Sequence, residues 1–450
     1  MLFLEKEKLK HYIKAQVPIE WKQRDFVADV KEYINSPIHQ VYLVSGLRGV
    51  GKTTGILQAI KDEDAVYIMV QLDEAETAQD YRTKLKACEA KVIVIDEYSW
   101  IQDRELLDGL LYTLVQNGKR VIITGNESVT LNYLKYGNLI HRVIIQQVTY
   151  FSYQEYCRLN EKKLNVRSCE EYLEKGGLFT RDMLDSYSAV SDYIKTAIID
   201  NLVSYCKGGF CAENITAIVY TILYKAICDS VPKTFPIYKG DYLSLVDFLE
   251  LFHVSTSYCV EASDFDEIVT ILENIGVIVK VQNYRIKKEC RTYIANPSMI
   301  YQLIKCIYKL DSLDKGLLGY IFESSCVCDL NLKKTMEQKI YYIEGRKGEN
   351  GLEINFMLID RSYSHNQSTW LFQCDFSENT VLHKTASLVS DTLENLIPDN
   401  EIWGRYVWYI GENKWEKVNG REVMYVRECR ECENEDYMLH NKEKFNESCL

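Results

Sequence analysis

Lys52 and Thr53 close the run Gly46-Leu47-Arg48-Gly49-Val50-Gly51, whose residue types suit a polyphosphate. Gly46, Gly49 and Gly51 let the backbone turn with positive φ and aim successive N–H groups at one anion. The segment that follows has helical periodicity at Ile56, Leu57 and Ile60, and such a helix presents its positive end to the same point. Lys52 then reaches the β- and γ-phosphates, and the Thr53 hydroxyl ligates Mg²⁺, with Leu47, Arg48, Val50 and Thr54 completing the cradle. Downstream, an apolar run ends in Asp96-Glu97. Asp96 beside Thr53 holds the metal through water, and Glu97 orients and deprotonates the attacking water. An acid pair of this kind is the equipment of a nucleoside triphosphatase, whereas a small-molecule kinase must exclude water and needs a second substrate pocket. Asn126, after Thr124-Gly125, is the candidate contact to the γ-phosphate, with Thr124 as the alternative and turn formation as the plain reading of either. Charge on the transferring group calls for an arginine in cis or from a neighbouring subunit. Arg142, at the head of the fifth apolar run, is preferred over Arg48, in the loop itself, and a surface ion pair is its plain alternative.

These residues have to be positioned by a sheet. Near-continuous apolar runs at 41–44 (VYLV), 66–70 (VYIMV), 92–96 (VIVID), 120–125 (RVIITG) and 142–148 (RVIIQQV) alternate with helix-capable segments. That order predicts an α/β fold built on a parallel sheet covered on both faces, with ligands at the carboxyl ends of the strands. Residues 1–40 read as helices, one with Leu9, Tyr12 and Ile13 on a face and one with Phe26, Val27, Val30, Tyr33 and Ile34, ending at Pro37. A helical, Tyr-rich extension follows to 212, broken at Gly176-Gly177. Residues 213–300 hold two or three helices and then a hairpin turning at Asn283, the order of a winged helix. The remainder, 301–450, alternates helix and strand as a small α/β domain with its own sheet.

A formal net charge of −12 over 450 residues gives the whole molecule no attraction for nucleic acid or anionic membrane, so any such contact needs a local patch. The hairpin supplies one candidate, Lys280, Arg285, Lys287, Lys288 and Arg291, suited to phosphates on a duplex. A solvated, lysine-guarded sheet edge is the simpler reading of it. The N-terminus has no uninterrupted apolar region of a signal peptide. The longest apolar run, 215–228, is too short to span a membrane and carries Lys225, so a cytoplasmic protein without membrane contact is expected. The 15 cysteines are scattered rather than spaced as a framework, which fits free thiols in a reducing compartment. A zinc site drawn through Cys429, Cys432, His440 and Cys449 rests on a lone CxxC.

The runs GLRGVGKTT, VIVIDE and VIITGNES, the segment from His141-Arg142 into VTYFSYQEY, and YLEKGG follow in an order that resembles a large family of prokaryotic AAA-type ATPases. The resemblance covers essentially the whole chain, closely over the first 156 residues and loosely beyond. It implies ATP as the nucleotide, with Mg²⁺; no single residue selects the base, and the oligomeric state stays open. It implies an AAA-type ATPase domain at 1–155, a helical extension at 156–212, a winged-helix-like module at 213–300 and a restriction-endonuclease-like domain at 301–450. In relatives that last domain resembles a nuclease with an acid on a helix, then Glu-x-Asp and Glu-x-Lys on two strands. Here the first position is similar to Glu323, but the second reads Glu353-Ile354-Asn355 and the third Gln373-Cys374-Asp375. Amides cannot supply the charge that metal-assisted phosphodiester cleavage needs. A nuclease-like fold without nuclease chemistry is therefore expected, the alternative being a metal site rebuilt from Glu353 and Asp375. Two partner classes stay open: duplex DNA, or a protein partner in a nucleotide-controlled switch, for example in stress or phage defence.

Overall fold

The computed structural model describes residues 2–18, 21–71, 77–101, 103, 105–125, 139, 142–178, 186–205, 211–230, 243–255, 262–335, 337–344, 352–361, 367–377 and 382–426. Asn126, His141 and the cysteine-histidine set at 429–449 lie outside them.

All five apolar runs form strands. Val41–Ser45 (β2), Ala65–Met69 (β3), Val92–Asp96 (β4), Arg120–Gly125 (β5) and Val143–Gln147 (β6) are parallel, and Leu2–Glu5 (β1) pairs antiparallel with β3. Strand β1 departs from the all-helical expectation for residues 1–40: Leu2↔Met69 and Leu4↔Tyr67 show a short segment captured by an edge it complements, ahead of helix α1 at Lys6–Gln16. The order is β1-β3-β4-β5-β2-β6, so the strand bearing the acids is separated from the strand feeding the glycine loop by β5.

Alternation along these strands feeds two cores. Leu43, Ile68, Ile93, Ile95 and Ile123 pack on one face with Tyr81 and Leu85 of helix α4 (Ala78–Ala87) and Leu107 and Leu111 of helix α5 (Glu105–Gln116). Tyr42, Val44, Tyr67, Val94 and Ile122 face the other side, against Leu9 and Ile13 of α1 and the apolar faces of helices α2 (Phe26–Asn35) and α3 (Lys52–Ile60).

The second face merges into one core with the following helices. Tyr153–Leu159, Val166–Lys175 and Tyr187–Tyr193 lead through a π-helical turn at Ile194–Ile199 to Asp200–Tyr205, then Ala212–Ser230, Leu245–Leu251 and Ala262–Asn274. The hairpin comprises Ile278–Asn283 (β7) and Cys290–Ile294 (β8), turned by Asn283, whose Oδ1 accepts from the Arg285 and Ile286 amides at 2.9 and 3.2 Å. After helices at Pro297–Ile307 and Lys315–Lys333 come Gln338–Ile343 (β9), Ile354–Asp360 (β10), Ser368–Cys374 (β11), Ile402–Trp408 (β12), Lys414–Val418 (β13) and Arg421–Val426 (β14). Strand β7 pairs in parallel with β9 through Gln282↔Tyr341 and Asn283↔Tyr342. The hairpin is thereby the edge of an eight-stranded sheet, β13-β14-β12-β11-β10-β9-β7-β8, which runs across residue 300 instead of starting after it.

Candidate active site

The loop between β2 and α3 has φ of +155°, +85° and +86° at Gly46, Gly49 and Gly51. A methyl at residue 46 would come within 2.0 Å of the Val148 carbonyl oxygen, and Gly51 is left-handed immediately before the first residue of α3, so neither position accepts a side chain. Leu47 and Val50 are buried and anchor the loop from below, while Arg48, Gly49, Gly51, Lys52, Thr53 and Thr54 line a cavity of about 580 Å³ that Glu97 also faces. Lys52 is buried, its Nζ donating to the carbonyls of Gly46 (2.7 Å) and Leu47 (2.8 Å). Burial pushes its pKa down, opposed by the nearby Glu97 and Asp96 carboxylates.

Asp96 is the hub. Its Oδ2 accepts from Thr53 Oγ1 at 2.8 Å and from Tyr67 Oη at 2.5 Å; its Oδ1 accepts from Thr124 Oγ1 at 2.5 Å. The Thr124 hydroxyl also accepts from the Glu97 amide at 2.8 Å, so this one buried side chain sets both acids. Glu97 sits left-handed at φ +59°, ψ +39°, a conformation that costs a non-glycine residue about 1 kcal/mol and is concentrated at functional sites. Burial raises its carboxyl pKa, and Lys52 and Arg48 partly offset that. Thr53 and Asp96 offer hard oxygen donors in contact with one another, a fit for Mg²⁺ held by the hydroxyl and, through water, by a carboxylate whose two oxygens are already engaged.

Thr124, the lesser alternative as the third polar group, is the residue seen between loop and acids. Arg48 lines the cavity. Arg142 does not: the Val41 amide donates to its carbonyl at 3.0 Å, at the end of the sheet away from the loop, and its guanidinium covers the Tyr112 ring at 4.1 Å. Five extended residues place it about 16 Å below the phosphate end. Parallel pairing of β6 with β2 fixes that separation, so Arg142 does not line the cavity of its own chain.

Two contributors were not legible in advance. Tyr67 looked like one more apolar strand residue; with Tyr12 of α1 stacked on it at 5.8 Å, it reaches Asp96 from β3. Arg24, between the first two helices, is buried and bidentate with Glu155 (2.9 and 2.6 Å), and its Nη1 donates to the carbonyls of Val50 (2.6 Å) and Thr149 (2.8 Å). It thereby ties the phosphate loop to the segment after β6.

The C-terminal constellation is arranged differently. Glu323 is enclosed, accepting from Tyr293 Oη at 2.9 Å and Asn355 Nδ2 at 2.8 Å, while Asn355 Oδ1 accepts from the Cys374 amide at 3.0 Å. Burial raises the Glu323 pKa. Residue 355 both donates and accepts, which an amide does and a carboxylate does not. Gln373 Nε2 donates to the Glu353 carbonyl at 2.5 Å, the Glu353 side chain is exposed, and among the described residues no cluster of three metal-ligating side chains occurs. Of the hairpin's basic residues, Lys280, Arg285, Lys287 and Lys288 are exposed, whereas Arg291 is paired with Glu344 at 2.9 Å.

Residues 38–157 match the model of a family described as an AAA domain, an assignment to P-loop ATPase-like proteins that covers the whole phosphate site. No curated protein matches the chain significantly. Among solved structures it is similar to the Saccharomyces cerevisiae Hsp104–ADP complex, with 12% identity and TM-score 0.31, covering 61% of this chain and 41% of that one. It is also similar to the Aeropyrum pernix ORC1 protein in complex with DNA, with 12% identity and TM-score 0.28 over 73% and 98% of the two chains. The Thermotoga maritima RuvB Holliday junction branch migration motor gives 15% identity and TM-score 0.25 over 67% and 94%. The chain spans about two fifths of the Hsp104 chain. Residues 38–157 are thus an AAA-type, P-loop ATPase-like unit set in a longer α/β chain.

Proposed function

We propose that the chain is a Mg²⁺-dependent ATPase whose nucleotide state sets the disposition of its C-terminal half. One juxtaposition carries the reading: Thr53 and Asp96 in contact beside the glycine loop, with Glu97 turned into the same cavity. When bound by Thr53 and Asp96, Mg²⁺ supplies charge to the phosphate oxygens. Lys52 neutralises the terminal phosphates once it leaves the two loop carbonyls that hold it here. Glu97, held through its amide by Thr124, orients the attacking water and takes its proton. Asn126, next after Gly125, is assigned to the γ-phosphate, Arg48 is one cation available in cis and Arg142 one available in trans.

Coupling to the C-terminal half is supported by contacts just past the phosphate end of the sheet. Gln147 Nε2 donates to the Asn274 carbonyl at 2.9 Å and Thr149 Oγ1 to the Gly276 carbonyl at 3.4 Å, both in the turn that feeds β7. The exposed Lys280, Arg285, Lys287 and Lys288 favour a polyanion, and duplex DNA is the reading preferred over a protein partner. ATP turnover by the full chain, with and without duplex at low salt, tests both levels. Wild type hydrolyses ATP, Glu97→Gln binds without turnover, Lys52→Ala loses binding, and duplex raises the rate in a salt-sensitive way. Turnover that survives both substitutions refutes the site. Turnover indifferent to duplex transfers the assignment to a protein partner.

A further inference from the structure

The eight-stranded sheet ends at β13 in a strand whose sequence complements itself. A two-residue turn at Asn419-Gly420 joins β13 to β14, with φ of +50° and +82°, the positive pair that a type I′ hairpin requires. In such a turn the Val418 carbonyl accepts from the Arg421 amide. Val418, Glu416 and Lys414 therefore aim their backbone at β14, and by alternation Trp415 and Lys417 aim theirs outward. Among the described residues, nothing pairs with that outer side. An open edge is a template for another strand, and here it carries an aromatic ring at its centre, since Trp415 is 64% exposed. A large ring left in water beside outward-facing backbone marks a contact surface.

We propose that β13 pairs antiparallel with β13 of a second copy of this chain, about a twofold axis at Trp415. Charge decides both occupant and register. A twofold perpendicular to the sheet passes through a residue of the strand and pairs its neighbours symmetrically. Centred on Lys414, Glu416 or Lys417, it sets like charges directly opposite one another, which destabilises a pair of strands. Centred on Val418, beside the turn, it leaves the first half of the strand unpaired. Centred on Trp415, it brings the two indoles together and sets Lys414 of each copy against Glu416 of the other. Those charges then occupy the non-hydrogen-bonded sites, where opposed side chains approach closest, while the two Trp415 residues exchange amide-to-carbonyl bonds. Lys414 Nζ already lies 2.8 Å from Glu416 Oε1 of its own strand, so docking closes a ring of four alternating charges. The β7-β8 hairpin forms the opposite edge of the same sheet, which puts the basic hairpins at the two far ends of the assembly. The pairing does not depend on the nucleotide reading.

Sedimentation of the full chain over a concentration series, without nucleotide, tests this. Wild type forms a dimer, and Trp415→Ala weakens it. Lys414→Glu and Glu416→Lys each place like charges at both symmetric positions and raise the dimer dissociation constant by roughly 10- to 100-fold. Mixing the two single variants restores association, because each acid then faces a lysine of the other chain. Both substitutions in one chain restore the homodimer as well, which separates a lost contact from a damaged fold. A wild type that stays monomeric throughout the series overturns the proposal. So do single variants that dimerise like wild type, or a mixture no more associated than its components, since either outcome puts the interface elsewhere.

Discussion

Replacing Arg24 by Met tests whether the phosphate loop is held from behind. The native guanidinium makes two bonds to Glu155 and two to the carbonyls of Val50 and Thr149, with both partners nearly inaccessible. Met fills most of the space beside Phe26 and Phe151 but leaves a buried carboxylate with the Asp25 amide, at 2.9 Å, and no paired cation, and takes from the Val50 and Thr149 carbonyls the donor that Arg24 gave them. Breaking a buried pair from one side costs about 3–5 kcal/mol, and for a unit of this size each kcal/mol lowers the melting temperature by about 2–4 °C. A drop of roughly 10 °C is therefore expected in a thermal melt of the full chain. ATP affinity falls with it, because the Val50 carbonyl is part of the loop. Arg24→Met with Glu155→Leu removes the orphaned charge and recovers more than half of the loss. Acid sensitivity follows the same pair. Burial alone would raise the Glu155 pKa, but hydrogen bonds and charge from Arg24 bring it below its ordinary value of 4.5. A depressed carboxyl pKa contributes stability that is present above the unfolded value and lost as pH falls through the folded one. Wild type consequently loses this contribution below about pH 4.5, and the double variant lacks that component. A double variant no more stable than Arg24→Met, or a single variant melting within about 2 °C of wild type, would refute the reasoning.

Tyr67→Phe removes one of three donors to Asp96; a hydrogen bond to a charged group is worth about 1.5–3 kcal/mol, so kcat falls roughly 10-fold and the Mg²⁺ requirement rises in a metal titration of turnover. Asn355→Asp sets a second carboxyl against Glu323 in an enclosed site, costing about 3 kcal/mol in thermal melts at neutral pH. That loss shrinks toward acid pH, since the new carboxyl has a raised pKa and its penalty grows as pH rises through it. Arg142→Ala leaves ATP affinity unchanged, and turnover falls only at concentrations where chains associate. Mixing it with Lys52→Ala chains restores activity, and mixtures no faster than their components would remove Arg142 from the reaction.

The glycine loop and the strands that frame it were legible because their signals are local. A buried parallel strand writes a nearly unbroken apolar run, and glycine, lysine and threonine at fixed spacing need no long-range information. Strand β1 was missed because four residues inside a charged, helix-like segment carry no pattern of their own until the edge of β3 is present. Arg142 was placed at the start of the correct strand, but whether it could act within its own chain or only from a neighbouring one was left open, because strand direction decides which end of the sheet it occupies. Tyr67 and Arg24 were invisible for another reason: their partners lie 29 and 131 residues away, and neither residue type is unusual where it stands. The joining of β7 to β9 is equally non-local, so the hairpin read as a free wing.

That joining has a consequence for how the protein comes to exist during synthesis. The parallel strands β2 to β6 have all emerged by residue 147, and among the described residues nothing they pair with comes later. Arg24 must wait for Glu155, so the N-terminal segment locks down only as the sheet is finished. The hairpin waits far longer, because the partner of β7 is complete only at Ile343. A nascent chain stalled between the two would display an unpaired edge beside a finished nucleotide site. Assembly thus has a built-in order, in which the site matures first and the sheet it is proposed to move is closed last.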